Sequence, residues 1–402
     1  MHKKFPALLA VAAAGGLLLS GCVPNPTATS QSLAVSSTET DCVVEANTAT
    51  SGTLTFTVKN DGHRISEFYI LAENGLSIVG EVENIAPGGT RDLTVVAQPG
   101  SYFTVCKPGM IGAGVGQAAF TVTGETVAVS ADEQEAVNAA VASYVGYVKT
   151  QTSELLPAVE EFAAAYVAGD DGKARALFPI VRINYERIEP TAEQFGDLDP
   201  AIDYRKPGAE AEGLEFTGFH RIEMDLWIDE ARLNYPDEQI DALDTAARTV
   251  LADKLVADVT ELNDLVHDAS FVLTLSDITN GAIGLLDEVA APDGKLPGEE
   301  NEFAHTDLYD FYANVEGAEV AYSTVRDIAA SRGEAGAALV AELDTQFAAM
   351  KSLLETYGDY ASGFVFYDTV GQDERNELGA QLNALSEPLS QLTHTVLGVA
   401  SD

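Results

Sequence analysis

The chain has 402 residues, more than twice an ordinary domain, and its 46% hydrophobic content excludes a wholly disordered acidic polymer. Sixty-three acidic residues against 22 basic ones give a formal charge of −41, which argues against nucleic acid or an anionic membrane surface as partner and favours small cations. Three cysteines are too few for a cysteine-rich zinc protein or a disulfide-stapled miniprotein.

Residues 1–21 open with His2, Lys3 and Lys4 and continue through an apolar run from Ala7 to Leu19. They read as a secretory signal, too short for a comfortable membrane span. Leu19-Ser20-Gly21-Cys22 resembles a bacterial lipoprotein signal. The resemblance implies that Cys22 becomes the first mature residue and carries acyl chains that hold it to the membrane. Ordinary secretion with a free Cys22 is the alternative. Residues 22–38, rich in Pro, Thr and Ser, read as a flexible tether.

From residue 39 to 129 the pattern has period two. Leu54, Phe56 and Val58 alternate with threonines, and Asn60-Asp61-Gly62 and Pro87-Gly88-Gly89 supply turns. Seven or so short strands at this spacing predict an all-β sandwich. Cys42 and Cys106 are an even pair in an oxidising compartment, so a disulfide is expected, with thiolate metal ligation as the alternative. A blue-copper site needs two histidines, and this segment has only His63, with Cys106 and Met110. Glu67, Glu81 and Glu83 offer oxygen ligands for a hard ion such as iron, against the plainer reading as solvated strand carboxylates.

Residues 130–402 change period to about 3.6. Ser130-Ala131-Asp132-Glu133 has the form of a capping box ahead of Val137, Val141, Tyr144, Val145 and Val148. Further helices are predicted over 172–189, 219–231, 237–268, 271–289, 316–331, 334–357 and 373–399, giving an all-α domain of one or two bundles.

Two pairs in this domain could carry chemistry. Glu186 and Glu189 stand three apart on one predicted helix, and His220 and Glu223 three apart on another. If those helices are neighbours, the four side chains can share an ion, and Asp203 in the intervening loop can close the shell. One imidazole with several carboxylates suits iron and tolerates zinc, manganese or copper. Arg187 and Arg221 adjoin these acids and could pair with them instead of a metal, or orient them. His267, beside Asp264, reads as a surface pair, His394 as a helix-face residue and His305 as structural.

Gly218-Phe219-His220-Arg221-Ile222-Glu223, with Leu226-Trp227, resembles the His-x-x-Glu motif of the imelysin, or M75, family. His305-Thr306-Asp307-Leu308, Asp310-Phe311, Ala313-Asn314 and Gly317 resemble a second block of it. Glu83-Asn84-Ile85-Ala86-Pro87-Gly88 and the Cys42 and Cys106 pair are similar to a cupredoxin-like domain. A cupredoxin-like domain followed by an imelysin domain resembles the EfeO family. The resemblance implies an extracytoplasmic iron-binding component of an uptake system, with a membrane permease and a haem peroxidase as partners. It places the metal site on His220 and Glu223 with Glu186, Glu189 and Asp203, and adds Glu288 as a downstream acid. It implies a possible second site at Glu67 and Glu83, where Tyr69 replaces an expected carboxylate and Gly112–Gly116 reads as an insertion. The alternative functions are an M75-type metallopeptidase, although only one histidine is present where zinc peptidases use His-Glu-x-x-His, and a purely structural surface lipoprotein.

Overall fold

The computed structural model describes residues 31–71, 75, 78–109, 114–125, 131–291 and 294–398. The signal of residues 1–21, Cys22, the tether before Gln31, Met110, Gly112 and the expected cap residue Ser130 lie outside them.

The N-terminal domain is built from β1 (Gln31–Ser37), β2 (Cys42–Val44), β3 (Thr48–Thr50), β4 (Gly52–Asn60), β5 (Ser66–Leu71), β6 (Ile78–Ile85), β7 (Thr90–Ala97), β8 (Gly100–Cys106) and β9 (Val115–Thr123). The end of the expected tether is therefore a strand: β1 alternates buried Leu33, Val35 and Ser37 with more exposed residues and pairs in parallel with β4. Its Pro, Thr and Ser neighbours mask that alternation in the sequence. One sheet has the order β2-β1-β4-β7 and the other β3-β9-β8-β5-β6. Both are mixed, because β1–β4 and β3–β9 run parallel. The period-two residues Leu54, Phe56 and Val58 of β4 meet Phe68, Phe120 and Val122 of the other sheet in a single apolar core. Cys42 and Cys106 form a disulfide within it, so neither sulfur is a free thiolate.

The second domain is helical: α1 (Ala131–Val167), α2 (Asp171–Glu186), α3 (Leu198–Asp203), α4 (Lys206–Glu212), α5 (Gly218–Leu226), α6 (Ile228–Asn234), α7 (Thr245–His267), α8 (Leu275–Val289), α9 (Asp307–Ala330), α10 (Gly333–Leu354), α11 (Gln372–Leu389) and α12 (Leu392–Leu397). Along α1 the fully buried Tyr144, Val148, Leu155, Val159, Phe162 and Tyr166 recur at three, four or seven residues and pack the bundle core. A two-residue strand pair, Gly358–Asp359 with Gly363–Phe364, is the small β element in this domain.

Several helix bounds differ from the sequence expectation. The helix expected to reach Glu189 ends at Glu186, and a 3₁₀ helix, Glu189–Phe195, follows. Pro190 disfavours the α conformation of the residue before it and lacks an N–H. The helix expected to run unbroken over 219–231 breaks at Trp227. Helix α7 starts at Thr245, where the Asp244 carboxylate accepts from Ala247 N at 2.9 Å. Helix α9 starts nine residues earlier than expected; its first turns bury Asp307, Asp310 and Asn314 beside an apolar stripe of Leu308, Phe311, Val315 and Ala318.

Helix α8 forms much of the contact between the domains. It packs on β6 and β7. Asn84 donates to Asp287 O, and Arg91 pairs with the Asp287 carboxylate. Asn280 Nδ2 reaches Thr94 O at 3.4 Å, and Thr94 Oγ1 meets His394 Nε2 at 2.5 Å. His394, on a helix face as expected, thus makes an interdomain contact.

The disulfide closes a chain segment with a sequence separation of 64. Replacing Cys42 and Cys106 together by serine is expected to lower the stability of the β domain by about 4 kcal/mol, read by urea unfolding.

Candidate metal centre

Arg182 lies on α2 with no exposed surface. Isolating a guanidinium from water costs several kcal/mol unless carboxylates surround it. Four do: Glu186 one turn on, Asp203 at the end of α3, Glu300 at 3.1 Å in the loop before α9, and Asp310 of α9 at 3.2 Å. The rings of Phe178 and Phe219 stack against it, at 5.7 and 5.4 Å from their centroids.

A second buried cation lies alongside. Lys295 Nζ is 3.1 Å from Glu189, 3.3 Å from Glu186 and 3.8 Å from Glu300. Asn314 donates to Glu186 Oε2 at 3.0 Å and also to Glu189. The Glu186 and Glu189 pair is thus together as expected, but bound to Lys295, Arg182 and Asn314. Arg187, expected near these acids, instead pairs with Glu316 at 2.8 Å.

Gly218 opens α5 at φ +73°, and a Cβ there would lie 2.0 Å from Ile202 O. That close approach brings α5 against α3 and sets His220 beside Asp203. His220 Nδ1 is 2.8 Å from Glu223 Oε2. The other Glu223 oxygen accepts from Phe303 N and Ala304 N at 2.9 and 2.8 Å. Both Glu223 oxygens are therefore engaged, so Glu223 orients the imidazole and ties down the 300–306 loop. His220 Nε2 points the other way, 3.2 Å from Glu300 and 3.6 Å from Asp203.

Two groups of donor atoms result, each with its atoms within 4.8 Å of one another: Asp203, His220 and Glu300, and Glu186, Glu189 and Asp203. Glu300 carries no helical or motif signal in the sequence. Arg182 stands four residues before Glu186, a spacing left unused above, and Lys295 lies between the helices predicted over 271–289 and 316–331. The second family block supplies the support: Asp307 accepts from Glu300 N and Asn301 N at 3.2 Å, while Asp310 and Asn314 hold Arg182 and the glutamates. His305, at φ 54°, joins this frame through its backbone, accepting from Tyr367 N at 2.8 Å. His267 Nδ1 is 2.8 Å from Asn263 O, so its partner is a carbonyl and not Asp264.

Charge is divided unevenly here. Burial alone would raise Glu300, yet the charges of Lys295 and Arg205 and the His220 hydrogen bond hold it well below the usual carboxylate range. Burial likewise opposes Glu186, but Lys295 and Arg182 outweigh it. Burial and the Glu186 charge push Glu189 well up, and burial raises Asp203 despite Arg182. Burial and Arg182 press His220 down, but its bonds to Glu223 and Glu300 and the Asp203 charge carry it to about 9.

Three of these donors, Glu189, Asp203 and Glu300, line a cavity of about 500 Å³ between the domains. Its helical wall includes Glu189, Asp203, Glu288 and Glu300, and its β wall Glu67, Tyr69, Glu81, Glu83 and Lys107. Glu288 thus borders the cavity. Tyr69 donates to Glu67 at 2.7 Å, and Lys107 reaches across to Glu212 at 3.5 Å. Glu83 Oε2 is buried with no hydrogen-bond partner among the described residues. Burial pushes the Glu83 carboxyl well up, and Glu81, Glu67 and Glu288 add to it.

Replacing Arg182 by methionine is expected to cost about 3–5 kcal/mol in chemical unfolding at neutral pH, since it leaves four carboxylates facing one another. The loss should shrink in acid, where those groups hold protons.

The Peptidase M75 family profile, described as imelysin, matches residues 140–392, and the cupredoxin-like domain profile matches residues 10–115. Iron uptake system component EfeO of Escherichia coli O157:H7 is 35% identical over 369 residues, covering 91% of both chains. EfeO of E. coli K12 and of Shigella flexneri match to the same extent. The crystal structure of an imelysin-like protein from Psychrobacter arcticum 273-4 covers 68% of this chain and 98% of its own, at 12% identity and a TM-score of 0.44. The chain belongs to the imelysin family and has the EfeO-type order of a cupredoxin-like domain followed by an imelysin domain.

Proposed function

We propose that this EfeO-type imelysin-family protein captures iron outside the cytoplasm and hands it to a membrane permease, as part of an uptake system that includes a haem peroxidase. The observation that carries the reading is the convergence of His220 Nε2 with Asp203 and Glu300, of which the two carboxylates line the cavity. One nitrogen and several carboxylate oxygens make a donor set that suits iron, and zinc, manganese or copper could compete for it. Glu223 fixes the ring so that Nε2 faces the donors, the usual role of a carboxylate behind a ligating histidine. Glu186 and Glu189 flank the site, and Glu288 borders the approach. Glu67 and Glu83, with the orphaned Glu83 oxygen, form a second cation position on the opposite wall. The relatives' name as iron uptake components supports the cargo. The chain is held at the cell envelope through acylated Cys22, and the sandwich lies between that anchor and the helical domain. No helix among the described residues is long and apolar enough to cross a membrane.

A peptidase reading follows from the family's description. A hydrolytic metal site needs a carboxylate free to take a proton from water, and both Glu223 oxygens are already committed.

His220 at about 9 is protonated at pH 7, and a metal requires the Nε2 lone pair. Binding must therefore expel a proton, and affinity should climb by about tenfold per pH unit from this proton alone between pH 6 and 8. Calorimetry of ferrous-iron binding in buffers of different ionisation enthalpy reads the release directly. PH-independent binding with no proton released would count against the reading. His220→Ala and Glu300→Gln are each expected to weaken binding at least about tenfold. Metal-dependent cleavage of unstructured substrates that disappears in His220→Ala would favour the peptidase instead.

A further inference from the structure

Glu300 is the donor with no regular structure to place it. Residues 295–306 form neither helix nor strand, yet three side chains grip the backbone there. Tyr367, itself buried, pins both ends: its hydroxyl donates to Leu296 O, and its N–H to His305 O at 2.8 Å. Glu223 accepts from Phe303 N and Ala304 N. Asp307, the first residue of α9, accepts through Oδ1 from Glu300 N and Asn301 N, both at 3.2 Å. Successive N–H groups aimed at one carboxylate oxygen fix the peptide planes on either side of the Glu300 Cα. The Asp307 side chain has no exposed surface, and its Oδ2 is buried with no hydrogen-bond partner among the described residues. A carboxylate left half satisfied away from water costs the fold free energy. Stability alone therefore does not explain an acid at this position.

We infer that Asp307 is a positioning residue for the iron site, which aims the Glu300 carboxylate by holding the N–H groups on both sides of its Cα. That role rests on the capture of iron at His220, Asp203 and Glu300. Glu300 is also held by its own carboxylate. Its Oε1 lies 3.1 Å from Arg182 and 3.2 Å from His220, and its Oε2 3.6 Å from Arg205 and 3.8 Å from Lys295. Those contacts occupy the oxygens that an ion must take, so capture has to loosen some of them. The grip on the backbone uses none of the ligand atoms and survives capture. Asp307 thereby keeps Glu300 directed at the site while its oxygens exchange partners, and binding has less ordering left to supply. Glu223 serves His220 in the same way, through Nδ1.

The test measures ferrous-iron affinity by anaerobic calorimetry on the full chain. The variants are Asp307→Ala, Asp307→Asn, Glu300→Gln, and Asp307→Ala combined with Glu300→Gln; circular dichroism of each without metal checks folding. Asp307→Ala should weaken binding at least about tenfold, as loss of a residue that orients a ligand does. Asp307→Asn keeps an amide oxygen that can accept from the same N–H groups, and should stay within about threefold of the parent. Adding Asp307→Ala to Glu300→Gln should change affinity by less than about threefold, because the side chain it aims no longer binds. A further loss of about tenfold in that background, or parent affinity in folded Asp307→Ala, would overturn the role. So would an Asp307→Asn loss equal to that of Asp307→Ala, since charge and not N–H acceptance would then be at work. Should Asp307→Ala not fold, anomalous scattering from iron-soaked crystals of the parent decides. Glu300 on the ion, with Asp307 still against both N–H groups, supports the role; Glu300 off the ion, or its N–H turned from Asp307, overturns it. A parent chain that binds no iron at His220 would refute the capture reading, and the role with it, before any variant is compared.

Discussion

The buried guanidinium of Arg182 is the constraint on which the rest of the helical domain depends. Its four carboxylate partners come from α2, the end of α3, the loop before α9 and α9 itself. Removing a charge from water is unfavourable by several kcal/mol, so the fold is satisfied only when all those segments meet at one point. Asp203 and Glu300, which Arg182 holds, are also the two carboxylates that face His220 Nε2. The residue that organises the core thereby sets the ligand geometry, and it holds the donors close without a metal.

Three positive groups, Arg182, Lys295 and protonated His220, share the cage with a larger number of acids. They fall into two kinds. Arg182 and Lys295 are fully buried and tied to several carboxylates each, while His220 has one nitrogen bound behind by Glu223 and the other directed at Glu300 and Asp203. The surrounding carboxylates hold Arg182 and Lys295 well above their usual values, whereas the imidazole is raised only to about 9, so it is the most readily deprotonated of the three. The cavity continues to the β domain, where Glu67, Glu81 and Glu83 face the helical acids across the gap.

Much of the fold was legible because burial imposes a period. Leu54, Phe56 and Val58 announced a strand, and Tyr144 and Val148 a helix, since one face of each had to leave water. The pattern failed where burial was polar. The first turns of α9 bury Asp307, Asp310 and Asn314 beside Leu308, Phe311 and Val315, and β1 buries Ser37 after Leu33 and Val35, so polar residues share the faces that an apolar pattern would mark. Pro190 cut the helix expected to carry both glutamates. His220 and Glu223 were recognisable as a pair, but spacing could not say that Glu223 bonds the Nδ1 side of the ring and the 300–306 loop, leaving Nε2 to Glu300 and Asp203.

By itself the sequence determined the two-domain order, the change from period two to 3.6, the cysteine pair and the chemical character of the donors, all of which follow from local chain chemistry and solvent exclusion. Which donors share a point was decided by tertiary structure alone. Glu300 and Lys295 lie in irregular segments more than seventy residues from His220, and no local rule relates such positions. They are brought to the imidazole by the requirement that every buried charge find an opposite one, a condition that only the assembled bundle can meet.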